Sequence, residues 1–316
     1  MQIELIYDLQ MYQWLLRPIH DELLQRGHTV VVTKTHSTPA TPACDGSIAI
    51  QNVAYKDTLP AYPRFFINHG SSASKGWNLD LPIQYFLSPS PYWTKQAIQK
   101  REKMGYHYQV IGDLGYARMD ALLLAKARSE EARSHLRDIR NQGDKPLVMC
   151  FPTYKKPNMT DPWLRDFDYR ILVEQLNPHY TVMVFPHQMD DTKEFENLLE
   201  PWQIHRGYEF DRLLFFAAAD VIVSDTSGAA YEACGLDIPV VLTGNLHKLE
   251  AQHATVDLGP VATVDNIVKV VNSQLENPKE YKHKREFWAD YILGPCDGLA
   301  SQRIVNVLEA ICPLVQ

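Results

Sequence analysis

Short apolar runs alternate with amphipathic stretches along almost the whole chain. Apolar and β-branched runs bounded by polar or turn residues predict strands at Ile3–Tyr7, Thr29–Thr33, Arg64–Asn68, Ile83–Leu87 and Gln109–Ile111. The same pattern predicts later strands at Leu147–Phe151, Thr181–Phe185, Val221–Val223 and Val240–Leu242. Between them, helical periodicity predicts helices over Trp14–Gln25, Thr94–Lys103, Met119–Ala127 and Tyr169–Leu176. Such alternation implies an α/β protein with parallel sheets and crossover helices.

The charged, helix-forming stretch Arg128–Pro146 ends in Gly143, Asp144 and Pro146, a stop signal that reads as a boundary between two α/β halves. With 316 residues the chain exceeds one ordinary core. The expected organisation is a domain over 1–140, a second over 141–295 and a terminal helix over 296–316 that packs back on the first. Two doubly wound domains facing each other make a cleft, and ligands of such sheets sit beyond the carboxyl ends of the strands.

Composition narrows the picture. The chain is 45% hydrophobic and 22% charged, as in globular proteins, and its net charge of -7 argues against nucleic acid as a partner. Its five cysteines, Cys44, Cys150, Cys234, Cys296 and Cys312, are widely spaced, which disfavours a disulfide framework or a zinc knuckle and fits a reducing cytoplasm. The opening stretch "MQIELIYDLQ" reads as a first strand rather than a signal peptide, and no stretch has the apolar length of a membrane span. Lys95, Lys100, Arg101 and Lys103 on one helix would suit either solvent or an anionic membrane surface.

Candidate chemistry gathers at the expected strand tips. Val221–Val223 stops at Ser224-Asp225-Thr226-Ser227-Gly228, and a helix-forming run with Glu232 follows. Unpaired N–H groups at a helix start carry partial positive charge, and Thr226 and Ser227 add hydroxyls, so a phosphate suits this turn; ordinary N-capping would use the same residue types. Glu232, one turn beyond Gly228, would reach ribose hydroxyls or lie on the surface. Of twelve histidines, His69 follows one strand before Gly70 and His187 follows another after Phe185-Pro186. One imidazole of such a pair would accept a proton and the other would stabilise phosphate charge. The Asp166-Phe167-Asp168 triplet precedes a helix rather than following a strand, which favours capping over metal binding.

Six stretches together resemble the CDP-glycerol glycerophosphotransferase family of teichoic-acid and capsule synthesis. "INHGSS" resembles the family's His-Gly-Thr strand end, "GDLGYARMD" its Gly-Tyr-Pro-Arg-x-Asp, and "FPTYKK" its Pro-Thr-Trp-Arg. "VFPHQ" resembles its apolar-x-x-His-Pro, "VSDTSGAAYE" its Ser-Asp-Tyr-Ser-Ser…Asp, and "CDGLASQRI" its closing Asp-Gly-x-Ala-Ser-x-Arg. The stretches follow in the family's order across most of the chain. Ala117 and Gln188 stand where the family has proline, Thr226 where it has an aromatic residue, Gly228 where it has serine and Lys155 where it has arginine.

The resemblance implies a GT-B fold, two Rossmann-like domains, with a CDP-activated donor held by the C-terminal half and no cofactor or essential metal. It implies His69 and His187 as catalytic, and Ser224, Thr226, Ser227 and Gly228 as the phosphate-binding turn. Thr153, Lys155 and Glu232 would serve the ribose and nucleotide, with Gly70, Arg118 and Asp120 elsewhere in the cleft. The expected activity moves glycerol phosphate, or a related polyol phosphate, to a polyol-phosphate, glycan or lipid-linked acceptor and releases CMP. A cytoplasmic place follows, with at most peripheral contact at the inner membrane face. A metal-independent nucleotide-sugar glycosyltransferase and a non-catalytic nucleotide-binding protein are the alternative readings.

Overall fold

A computed structural model describes residues 1–7, 10–34, 44–50, 62–68, 83–140, 142–152, 169–186, 193–204, 210–225, 227–243 and 257–315. The chain forms two compact units, one of Met1–Ser71, Lys75–Ala121 and Asp290–Gln316, the other chiefly of Leu122–Ala289.

The first unit contains β1 (Gln2–Tyr7), α1 (Gln10–Gln25), β2 (Thr29–Lys34), β3 (Gly46–Ile50), β4 (Arg64–Ile67), β5 (Tyr85–Leu87), α2 (Pro91–Met104), β6 (Gln109–Ile111) and the start of α3 (Arg118–Ala127). Its strands form one parallel sheet in the order β2-β1-β3-β4-β5-β6. The expected strands are present with small shifts at their ends. The run Gly46–Ile50 gave no strand signal, yet it is buried throughout between β1 and β4. Its Gly-Ser-Ile-Ala-Ile sequence lacks the polar–apolar contrast that marks a half-exposed strand.

The second unit contains α4 (Ser129–Ser134), β7 (Leu147–Phe151), α5 (Tyr169–Leu176), β8 (Thr181–Val184), α6 (Lys193–Glu196), α7 (Phe210–Ala218), β9 (Val221–Ser224), α8 (Gly228–Gly235), β10 (Val240–Thr243), β11 (Val261–Ala262), α9 (Ile267–Glu276) and most of α10 (Lys282–Leu293). Its sheet is again parallel, in the order β11-β10-β9-β7-β8. Alternate strand residues divide between two faces. Val148, Cys150, Val182, Val184, Val221 and Val223 pack with Leu172 and Val173 of α5 and Ile267 and Val271 of α9. Full burial of each such side chain contributes roughly 1.5–3 kcal/mol, so this apolar layer anchors the unit.

The units part at Ala121 and Ala289, whereas the sequence set its divisions at 140 and 295. The reason is local. Lys126 Nζ donates to the Ala217 carbonyl at 3.1 Å, and Arg133 donates to the Ala218 carbonyl and pairs with Asp220. These cations satisfy the orphan carbonyls at the end of α7 and so bind α3 and α4 to it. The last helix, α11 (Ala300–Ile311), belongs to the first unit, where Arg26 reaches Glu309 at 2.9 Å.

Candidate functional site

Crossover helices between parallel strands begin at the carboxyl rim of the sheet. In the second unit the run from β9 to α8 turns at this rim. Ser227 has extended backbone and its hydroxyl accepts the Ala229 N–H at 3.4 Å, a long and loose cap. Gly228 opens the helix beneath it. Ser224 behaves differently: fully buried, its hydroxyl donates to the Phe151 carbonyl at 3.1 Å. Of the predicted phosphate hydroxyls, Ser227 therefore stands at the helix start and Ser224 is tied into the sheet. Glu232 is buried, 6% exposed, which removes the surface-glutamate reading. It lies one turn below Gly228, and helical side chains lean toward the N-terminus, here toward the rim.

Three side chains form a row across the same face. Phe151 is paired in register with Ser224, and Phe185 follows β8 beside Phe151, with the two rings stacked at 5.0 Å. Phe216 of α7 meets the Phe151 ring edge-on at 5.2 Å. Arg212, in the first turn of α7, holds its guanidinium 4.5 Å from the Phe185 ring centre and 6.0 Å from that of Phe151. Sequence reasoning missed Arg212; a cation in the first turn of the helix before β9 was the available signal. It also missed Thr243, whose buried hydroxyl at the tip of β10 lies 3.0 Å from the Tyr169 hydroxyl.

At the rim of the first sheet Asp120, Asp297 and Arg303 are engaged with neighbouring side chains and backbone. Asp120 accepts the N–H groups of Ala300 at 3.1 Å and Ser301 at 2.7 Å, and so caps α11. Arg303 donates to the Leu114 carbonyl at 2.8 Å and grips Asp297 through two bonds at 2.9 and 2.8 Å. That hydrogen-bonded pair holds the Asp297 carboxyl below its usual range. The backbone crowds at the same place. Gly115 (φ +83) would set a Cβ 3.0 Å from Ala300, Arg303 and the Pro295 carbonyl, and Gly294 (φ +78) would set one 2.0 Å from the Pro89 carbonyl. The Gly112–Asp120 and Cys296–Ile304 stretches thus fasten together, and Arg118 opens the helix, α3, that carries Asp120. Asn68 is buried just after β4. His69, Gly70, Thr153, Lys155, Asp166, Asp168, His187 and Thr226 lie outside the described residues.

Cys150 and Cys296 are unsuited to nucleophilic work. Burial pushes the Cys150 thiol well up, and burial together with Asp290, Asp297 and Asp120 raises Cys296 to about 12. Among the described residues no group of three or more His, Cys, Asp or Glu is placed to hold a metal ion. Among them, too, no helix is long and apolar enough to cross a membrane.

A family model described as CDP-glycerol:poly(glycerophosphate) glycerophosphotransferase matches residues 20–310. The chain belongs to this family. As a member of the glycerophosphotransferase family it is an enzyme of the transferase class. Solved structures agree in fold. The wall teichoic acid polymerase TagF superposes with a TM-score of 0.66 at 16% identity, covering 99% of this chain and 89% of that one. A TagF H444N variant soaked with CDPG gives 0.67 at 15% identity over the same shares. The UDP-GlcNAc 2-epimerase from Neisseria meningitidis bound to UDP-GlcNAc gives 0.63 at 15% identity, covering 98% of this chain and all of that one, 100%. No curated protein matches the chain in sequence. The two parallel α/β sheets are those of the GT-B fold.

Proposed function

We propose that this glycerophosphotransferase-family chain moves glycerol phosphate, or a closely related polyol phosphate, from a CDP-activated donor to an acceptor hydroxyl and releases CMP. The observation that carries the reading is the turn from Ser224 to Gly228 at the carboxyl rim of the second sheet, with Glu232 buried one turn below it. A helix start supplies N–H groups and partial positive charge to a diphosphate, and a carboxylate one turn down suits ribose hydroxyls. Ser227, Thr226 and Gly228 cradle the phosphates; Thr153 and Lys155 serve the nucleotide. Ser224 acts indirectly, by fixing the strand end through Phe151.

In the chemical step His69 takes the proton from the acceptor hydroxyl. The acceptor oxygen forms a bond to the β-phosphorus, the bond from that phosphorus to the bridging oxygen breaks, and CMP departs with the electron pair. His187 stabilises the charge that develops on the phosphoryl oxygens. The acceptor is a growing cell-surface polymer, a glycan or polyol-phosphate chain on a lipid carrier, and contact with the inner membrane face is peripheral.

The test is product analysis. The full-length chain is incubated with CDP-glycerol and a glycerol-phosphate-primed lipid analogue, with and without EDTA. CMP should appear in step with acceptor extension at rates equal within about twofold, since N–H groups, hydroxyls and side-chain cations supply the positive charge. Release of CDP, or of UDP from a UDP-sugar, would mark glycosyl transfer instead. Loss of activity in EDTA with recovery on Mg²⁺ would bring Asp166 and Asp168 back as metal ligands.

A further inference from the structure

We infer that Arg212 binds the diphosphate of the donor, an inference that rests on the reading of the second rim as the donor site. Three observations place it there. First, α7 and α8 are successive crossovers in the same direction along the sheet, from β8 to β9 and from β9 to β10. Right-handed connections running the same way lie on the same face, and both helices start at the carboxyl rim. Second, register fixes the distance. Phe185, Phe151 and Ser224 occupy neighbouring strands on that face, and strands are about 4.8 Å apart. A guanidinium over Phe185 and Phe151 is therefore displaced along the sheet by at most about 10 Å from Ser224, where the turn begins.

Third, the helix dipole does not favour a cation at this position. Positive charge in a first turn opposes the helix dipole, and an anion there is what the dipole favours. Stacking on Phe185 offsets part of that cost and fixes the plane of the guanidinium at the rim. A planar, permanently charged group held in place suits bidentate contact with phosphate oxygens. Arg212 is also the one Lys or Arg in the first turns of α7 and α8. In a chain of net charge -7, a doubly charged leaving group and its diphosphate need local positive charge.

The test compares ligands that differ only in phosphate. Calorimetric titrations of cytidine, CMP, CDP and CDP-glycerol are run on the full chain, on Arg212→Met, which keeps the apolar stem, and on Arg212→Lys, which keeps the charge. The inference predicts a loss of about 10- to 100-fold for CDP and CDP-glycerol in Arg212→Met, little change for cytidine, and partial recovery in Arg212→Lys. Equal weakening of all four ligands with a lowered Tm would make Arg212 a packing residue for the two rings and overturn the inference. Unchanged CDP-glycerol binding in both variants would overturn it while leaving the donor reading intact. A wild-type chain that binds UDP-sugars but not CDP-glycerol, with Arg212→Met losing them, would overturn the donor identity and keep Arg212 as a diphosphate ligand. A wild-type chain that binds no nucleoside diphosphate would overturn both.

Discussion

The rims of the two sheets carry motifs of similar appearance and put them to different uses. At the first rim, Asp120 accepts two N–H groups of α11, and Arg303 bonds Asp297 and the Leu114 carbonyl. At the second, Ser227 caps α8 through a single 3.4 Å contact, and Arg212 rests on aromatic faces. A fastened rim stabilises the fold, whereas the long 3.4 Å cap at Ser227 leaves its hydroxyl able to bond a ligand. A motif match therefore does not assign a role by itself: Asp120 caps α11, and Ser227 stands at a helix start of the kind that suits phosphate.

The largest effect that would sharpen this contrast comes from His69→Ala. If His69 is the base, kcat should fall by about 10²–10⁴-fold. The pH profile of kcat/KM should also lose its acidic limb, because imidazole accepts a proton only when neutral. Steady-state kinetics across pH with CDP-glycerol checks both; a near-normal kcat would reduce His69 to a strand-end residue.

Asp120→Ala acts on the other rim. Removing a cap that serves two N–H groups should cost about 0.5–2 kcal/mol of stability, seen as a lower Tm, with KM for the donor unchanged. A raised donor KM at unchanged Tm would return Asp120 to the substrate site.

The smallest effect is the pH response of Asp297. Arg303 lowers its folded pKa, so its contribution is present above the unfolded carboxylate pKa, about 3.9, and is lost as pH falls through the lower folded value. The pair is partly exposed, and its contribution should be below about 1 kcal/mol. Thermal melts of wild type and Asp297→Asn should differ near pH 6, and the gap should shrink as pH falls below about 3.9. A constant gap would mean that Arg303 does not depend on that carboxylate.

Much of this architecture was legible in the sequence because parallel strands announce themselves as apolar runs. The run Leu147–Phe151 is strand from end to end, and Tyr169–Leu176 is helix, as their patterns indicate. The run Gly46–Ile50 was not legible, since a strand buried on both faces shows no alternation. Neither was β11, two residues long. Asp120 illustrates a different limit: its partners lie 180 residues away, and no local pattern reveals such a cap. Glu232 read equally well as surface or site until the packing of α8 buried it. Arg212 escaped notice because its meaning depends on which face of the sheet Phe151 and Phe185 share.

The most direct test of the central claim, that the second rim holds the donor and Asp120 at the first holds the fold, is a calorimetric titration of CDP-glycerol into Ser227→Ala and Asp120→Ala side by side. The account predicts weaker binding in Ser227→Ala by roughly 1.5–3 kcal/mol, the worth of a hydrogen bond to a charged group, and wild-type affinity in folded Asp120→Ala. Wild-type affinity in Ser227→Ala together with weakened binding in Asp120→Ala would contradict it.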